Sequence, residues 1–178
     1  MINLGEKFPD FKKKATVSTV LGKEFGVLSN NDHISAKKWM VMFWYPKDFT
    51  FVCPTEIIEF DNHNKDFEKR NAMLIGASTD TEYSHLGWMV SHPGLKKLTI
   101  PLLADTSKSL AESLGILESA EKIAYRATFI VDPDGIVRWI NVNDLDVGRN
   151  VDEVLRVLDA LQTGGKTPCN WKKGDSTL

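Results

Sequence analysis

A chain of 178 residues with 42% hydrophobic and 26% charged residues has the make-up of one ordinary globular domain, and five tryptophans and nine phenylalanines supply bulky anchors for its core. A formal net charge of −2 excludes the basic field that a nucleic-acid or anionic-membrane binder needs. No stretch reaches the roughly 18 apolar residues of a transmembrane helix, and the segment from Met1 to Lys7 lacks the basic and apolar regions of a signal peptide, so a soluble, cytoplasmic protein is expected. Two cysteines are too few for the disulfide framework of a small secreted domain; in a reducing compartment they are either buried apolar residues or reactive thiols.

The opening reads as a hairpin, Ala15 to Leu21 and Phe25 to Leu28 around a Gly22-Lys23-Glu24 turn. Trp39 to Tyr45 is a continuous apolar run of strand length, the pattern of a central strand buried on both faces, and Pro46 ends it. Residues 54–69 are predicted helical, with Pro54 in the first helical position and Ile57, Phe60, Asn64 and Phe67 on an imperfect stripe. Ala72 to Ala77 reads as a strand, Glu82 to His92 as a helix, Ile100 to Leu103 as a short extended piece, and Ser107 to Leu114 as a helix stopped by Gly115. Ala127 to Val131 is a further buried strand, Asp132-Pro133-Asp134-Gly135 a turn, and Ile136 to Val142 the returning strand. The last helix carries the clearest signals: Asn150 as N-cap with Glu153 in a capping-box-like pair, a stripe of Val151, Val154, Leu155, Leu158 and Leu161, and a stop at Gly164-Gly165. This alternation predicts a mixed α/β fold with a central sheet over residues 1–163, followed by a polar tail, residues 164–178, that holds the second cysteine.

Cys53 follows a buried strand and a turn and immediately precedes Pro54 at the start of a helix. Helix N-termini present free N–H groups and positive partial charge, an environment that favours the thiolate form of a cysteine, the form that attacks electrophiles. Thr50 lies three residues earlier, where its hydroxyl can share a face with the sulfur or cap the helix, and Pro46 stiffens the loop entry. From these residues alone, a buried structural cysteine remains the competing reading.

The segment Phe43-Trp44-Tyr45-Pro46-Lys47-Asp48-Phe49-Thr50-Phe51-Val52-Cys53-Pro54-Thr55-Glu56 closely resembles the active-site segment of typical two-cysteine peroxiredoxins, with the Pro-x-x-x-Thr-x-x-Cys pattern at Pro46, Thr50 and Cys53. The similarity continues through Tyr125 to Asp132, Val147-Gly148-Arg149 and Cys169-Asn170-Trp171, nearly the whole chain in order, and is nearest to the alkyl hydroperoxide reductase C branch. The resemblance implies a thioredoxin-like fold and reduction of hydrogen peroxide and organic hydroperoxides without metal or other cofactor. It makes Cys53 the peroxidatic nucleophile, with Thr50 and the Cys53 N–H orienting the peroxide, Arg126 stabilising developing negative charge, and Pro46 shielding the pocket. Glu56 and Arg149 would support Arg126. Tyr45 and Trp88 match family positions that serve equally as core or interface packing.

The resemblance also implies that Cys169 is the resolving cysteine, pairing with Cys53 of the other subunit in a homodimer that assembles further, as five dimers in a ring, and that a separate dithiol protein (thioredoxin, a flavoprotein reductase or a dithiol adaptor) reduces the disulfide. Two departures bear on overoxidation. Ser91 to Leu98 lacks the Gly-Gly-Leu-Gly insertion of easily overoxidised relatives, and the chain ends at Leu178 without their Tyr-Phe helix, which implies resistance to sulfinic acid formation. His33, His63, His85 and His92 have no zinc-site spacing. A thioredoxin-like disulfide oxidoreductase would carry a second cysteine where Glu56 stands. A ring-forming holdase is the alternative of another class and would survive loss of Cys53.

Overall fold

The computed structural model describes residues 1–178. In chain order its elements are β1 (Lys12–Thr16), β2 (Phe25–Ser29), α1 (Asn30–Ser35), β3 (Trp39–Trp44), α2 (Cys53–Asn62), α3 (Asn64–Lys69), β4 (Ala72–Ser78), α4 (Glu82–Ser91), β5 (Leu102–Ala104), α5 (Ser109–Leu114), β6 (Arg126–Val131), β7 (Val137–Asn143) and α6 (Val151–Gln162). They form one seven-stranded mixed sheet in the order β2-β1-β5-β4-β3-β6-β7. β3, β4 and β5 run parallel, whereas β6 lies antiparallel on the other side of β3.

Strand β3 explains why its sequence is apolar throughout. Side chains alternate across a sheet, so Met40, Met42 and Trp44 enter one core and Val41, Phe43 and the following Tyr45 enter the other, all six fully buried. The first core is closed by Phe8, Phe11, Leu110 and Leu114; the second by α2, α4 and α6 through Ile57, Phe60, Trp88, Met89 and Leu158. Burial of each such side chain contributes about 1.5–3 kcal/mol. Cys53 belongs to the second core, so α2 brings its first residue against the sheet.

Several boundaries differ from the sequence expectation, for identifiable reasons. The opening hairpin pairs Lys12–Thr16 with Phe25–Ser29 around a longer loop, because Ala15 must register with Leu103 on β5 as well as with Gly26 on β2. The helix expected over 54–69 breaks at His63 into α2 and α3. Asn62, His63 and Asn64 are weak helix formers, and Asp61 on the last turn of α2 accepts from the Thr99 and Ile100 N–H groups, tying the break to the chain before β5. Helix α1 had no apolar stripe to announce it; it is started by Ser29 and Asp32, whose carboxylate accepts from the Ser29 N–H at 2.7 Å. In α6 Asn150 caps the Glu153 N–H at 3.1 Å as expected, but the Glu153 carboxylate pairs forward with Arg156 rather than closing a capping box.

The tail carries no helix or strand, yet it is docked. Trp171 is buried, its indole N–H donates to the Asp175 carbonyl, and its own carbonyl accepts from Arg156 on α6. Lys173 reaches Asp159 on the same helix at 2.9 Å, and Arg70 pairs with both oxygens of that carboxylate.

Candidate active site

The loop between β3 and α2 carries Pro46, Thr50 and Cys53. Pro46 is buried at the end of β3, and Phe49 turns the chain with a left-handed φ of 57°. Such a conformation is uncommon for a residue with a side chain. The turn delivers Thr50 and then Cys53, which is the first residue of α2, with Pro54 next to it. As the first helical residue, Cys53 has an N–H with no intrahelical partner. Its side chain is 1% exposed, and the thiol is free.

Strand β6 supplies the cation. Arg126, its first residue, lies 73 positions beyond Cys53 and places Nη1 3.5 Å from Sγ. The same Nη1 donates to Glu56 Oε2 at 2.7 Å, and Nε donates to the Leu145 carbonyl at 2.6 Å, so the guanidinium is fixed on two sides. Glu56 sits one turn after Cys53 on α2. Its carboxylate also accepts from Arg149, through Nε at 2.8 Å, Nη2 at 2.9 Å and the backbone N–H at 3.0 Å. Arg149 in turn donates to the Ala127 carbonyl and lies over the rings of Phe43 and Phe60, 5.5 Å from each centroid.

Burial works against ionisation of Glu56, but hydrogen bonds and charge from Arg149, then Arg126, outweigh it and hold the carboxyl below its usual value. Burial lowers the Arg149 guanidinium against the pull of Glu56. For Arg126 burial also acts downward, and the contacts with Cys53 and Glu56 more than reverse it. Two cations thus share one carboxylate, and the buried cluster holds one positive charge in excess. Above the cluster lies a cavity of about 240 Å³, lined by Pro46, Thr50, Cys53, Ile123, Arg126 and Leu145 among others. Its size suits a peroxide group rather than a macromolecular substrate.

The AhpC/TSA family model matches residues 4–140 of this chain. The alkyl hydroperoxide reductase C of Mycolicibacterium smegmatis is 44% identical over 186 residues, covering 100% of this chain and 94% of that protein. The chain belongs to the AhpC/TSA family. Peroxiredoxin-2 of Cricetulus griseus is 45% identical over 183 residues, covering 99% of this chain and 89% of that one. Among solved structures, the reduced 2-Cys peroxiredoxin of Plasmodium vivax superposes with a TM-score of 0.89 at 37% identity, covering 98% of this chain and 91% of that one. The AhpC of Mycobacterium bovis gives 0.86 at 40% identity, covering 97% and 99%. The protein is a peroxiredoxin with the thioredoxin-like fold of its relatives.

Within this peroxiredoxin, Pro46, Thr50, Cys53 and Arg126 meet around one cavity, and Glu56 and Arg149 meet Arg126 behind it. Cys169 is exposed and stands apart, beside Arg156 and Lys172 on an open cleft of about 800 Å³. Tyr45 and Trp88 are buried in the core. The Thr50 hydroxyl donates to the Lys47 carbonyl at 3.0 Å, which leaves its oxygen lone pairs for another donor. Sequence reasoning missed the Leu145 carbonyl that orients Arg126, and Ile123 on the cavity wall, because both come from irregular segments without a motif. It also missed a hydrogen-bonded group behind the loop, Tyr45, Asp48 and His85. No residue-level signal pairs Asp48 with His85, which lies 37 positions away.

Proposed function

We propose that Cys53 is the peroxidatic nucleophile of this thiol-dependent peroxidase and that Cys169 resolves its oxidised form. The observation that carries the assignment is the guanidinium of Arg126, 3.5 Å from Sγ and anchored by Glu56 and the Leu145 carbonyl. The anionic sulfur attacks the terminal oxygen of the hydroperoxide. The O–O bond breaks, Cys53 becomes a sulfenic acid, and the other oxygen leaves as alkoxide or hydroxide and takes a proton to become alcohol or water. The surplus positive charge of the Arg126–Glu56–Arg149 cluster balances the anion on either side of this step. The Thr50 hydroxyl, its hydrogen committed to Lys47, accepts from the O–H of the peroxide, and the Cys53 N–H donates to the reacting oxygen.

Resolution follows from burial. Cys53 is enclosed in the first turn of α2 while Cys169 is exposed on the tail, so the first turn must open before the sulfurs meet. The Cys169 thiol then displaces the sulfenic hydroxyl as water and forms the disulfide, across two copies of the chain. A separate dithiol protein returns both thiols. Residues 1–163 are the catalytic domain and 164–178 the resolving tail. A homodimer, assembling further into a ring, covers surfaces such as Phe49 and Phe51, which are 61% and 95% exposed. No helix is long and apolar enough to cross a membrane, and a reducing cytoplasm suits an enzyme whose resting state needs both thiols. Non-reducing electrophoresis after one equivalent of hydrogen peroxide tests the assignment. A covalent dimer is expected from the wild type and from neither Cys53→Ser nor Cys169→Ser; a dimer that survives either substitution overturns it.

A further inference from the structure

Three polar side chains are enclosed behind the Cys53 loop and take no part in the chemistry above. Tyr45 and His85 are 0% exposed and Asp48 is 8% exposed. Asp48 accepts from the Tyr45 hydroxyl through Oδ1 at 2.9 Å, and its Oδ2 lies 2.8 Å from His85 Nδ1. On the far side of the ring, Nε2 lies 3.2 Å from the Leu103 carbonyl. A carbonyl only accepts, so Nε2 carries a hydrogen, and the contact between Nδ1 and Oδ2 needs a second one. The ring therefore ties β5, through Leu103, to the loop, through Asp48. Burial, reinforced by the charge of Asp48, pushes the Tyr45 phenol well above its usual value and keeps it a donor.

The connection to the cavity runs through one peptide unit. The N–H of Asp48 donates to Asp80 Oδ2 at 2.8 Å, and the carbonyl of the same Lys47–Asp48 peptide accepts the Thr50 hydroxyl at 3.0 Å. Between Asp48 and Thr50 the chain passes through the left-handed Phe49, a conformation that persists only where its surroundings hold it. We propose that His85 is a positioning residue of the peroxide site: acting through Asp48 and the Lys47–Asp48 peptide, it fixes the direction in which Thr50 presents its hydroxyl oxygen. This rests on the placement of peroxide against Thr50 and Cys53 given above.

The test compares two reactions of Cys53 in the full-length reduced protein: the first turnover with hydrogen peroxide, which needs Thr50, and alkylation by iodoacetamide, which does not. His85→Gln keeps a donor near Leu103 and removes the ring nitrogen that meets Asp48 Oδ2. It is expected to slow the peroxide reaction about tenfold or more while alkylation stays within about twofold. Asp48→Asn can accept from Tyr45 and donate to a neutral ring, so it is expected to retain the peroxide rate within about threefold. Thr50→Val is expected to slow peroxide, and combining it with His85→Gln should add little, since both act on one interaction. Full additivity of the two losses, or an equal fall in alkylation for His85→Gln, overturns the inference. If Thr50→Val alone leaves the peroxide rate unchanged, it is the placement of the peroxide that fails.

Discussion

Glu56→Gln is the most informative single change in the charge cluster. The carboxylate is 3% exposed and accepts four hydrogen bonds from two cations. Glutamine can keep those on one oxygen, but its NH₂ group then faces guanidinium N–H donors, and two buried arginines lose the carboxylate they share. Breaking a buried pair from one side costs about 3–5 kcal/mol. At roughly 2–4 °C per kcal/mol for a domain of this size, and taking the lower energy, Tm is expected to fall by about 6–12 °C. Arg126 loses one of its two anchors, so the first turnover with peroxide is expected to slow about tenfold or more. The pH dependence has a definite sign. The folded carboxyl titrates below its ordinary value near 4.5, so its stabilisation is present above that value and is lost as pH falls through the folded one. The gap in stability between wild type and variant should therefore be widest near neutrality and close in acid. Thermal unfolding at pH 7 and pH 4, with stopped-flow tryptophan fluorescence for the turnover, measures both. A Tm within about 2 °C of wild type at pH 7 would refute the reasoning.

Arg126→Met removes the charge beside Sγ while Arg149 keeps Glu56 paired; the rate with hydrogen peroxide is expected to fall about 10²–10³-fold, measured by stopped flow. His33 is fully buried, and burial lowers its pKa from the ordinary 6.5 despite opposing contributions from the Lys38 carbonyl and from Asp132 and Asp32. The unfolded chain therefore binds this proton first as pH drops below 6.5, and stability falls with it, by at most about 1.4 kcal/mol at pH 5.5. Urea midpoints at pH 7.5 and 5.5 should differ less in His33→Asn than in wild type. Trp171→Ala undocks the tail from α6, and cleavage by trypsin at Lys166, Lys172 or Lys173 should accelerate about tenfold or more; equal rates would mean that the indole does not hold the tail.

The parts of this site that were legible in the sequence are those set by local chemistry. Cys53 at a helix start, Pro54 beside it, and Pro46 closing a doubly buried strand each follow from rules that act over a few residues, and each is found where expected. The meeting of Cys53 with Arg126 is set by the antiparallel pairing of β6 with β3, in which Phe43 faces Thr128. Such a register has no local signature, and here only the family motif supplied it. Helix α1 and the break at His63 were missed because six-residue helices are decided by caps and tethers rather than by an apolar stripe. The tail is polar and carries no pattern that announces docking, yet one tryptophan and one lysine bind it to α6. The contact between Asp48 and His85 joins the loop after β3 to helix α4, a meeting that composition does not reveal.

The most direct test of the central claim uses Cys169→Ser, which removes the proposed resolving thiol. The reduced variant is given one equivalent of hydrogen peroxide, trapped with a sulfenic-acid reagent and mapped by mass spectrometry. One peroxide consumed per subunit, with the adduct on Cys53, is the expected result. Peroxide that remains unconsumed, or an adduct absent from Cys53, would contradict the role assigned to this sulfur.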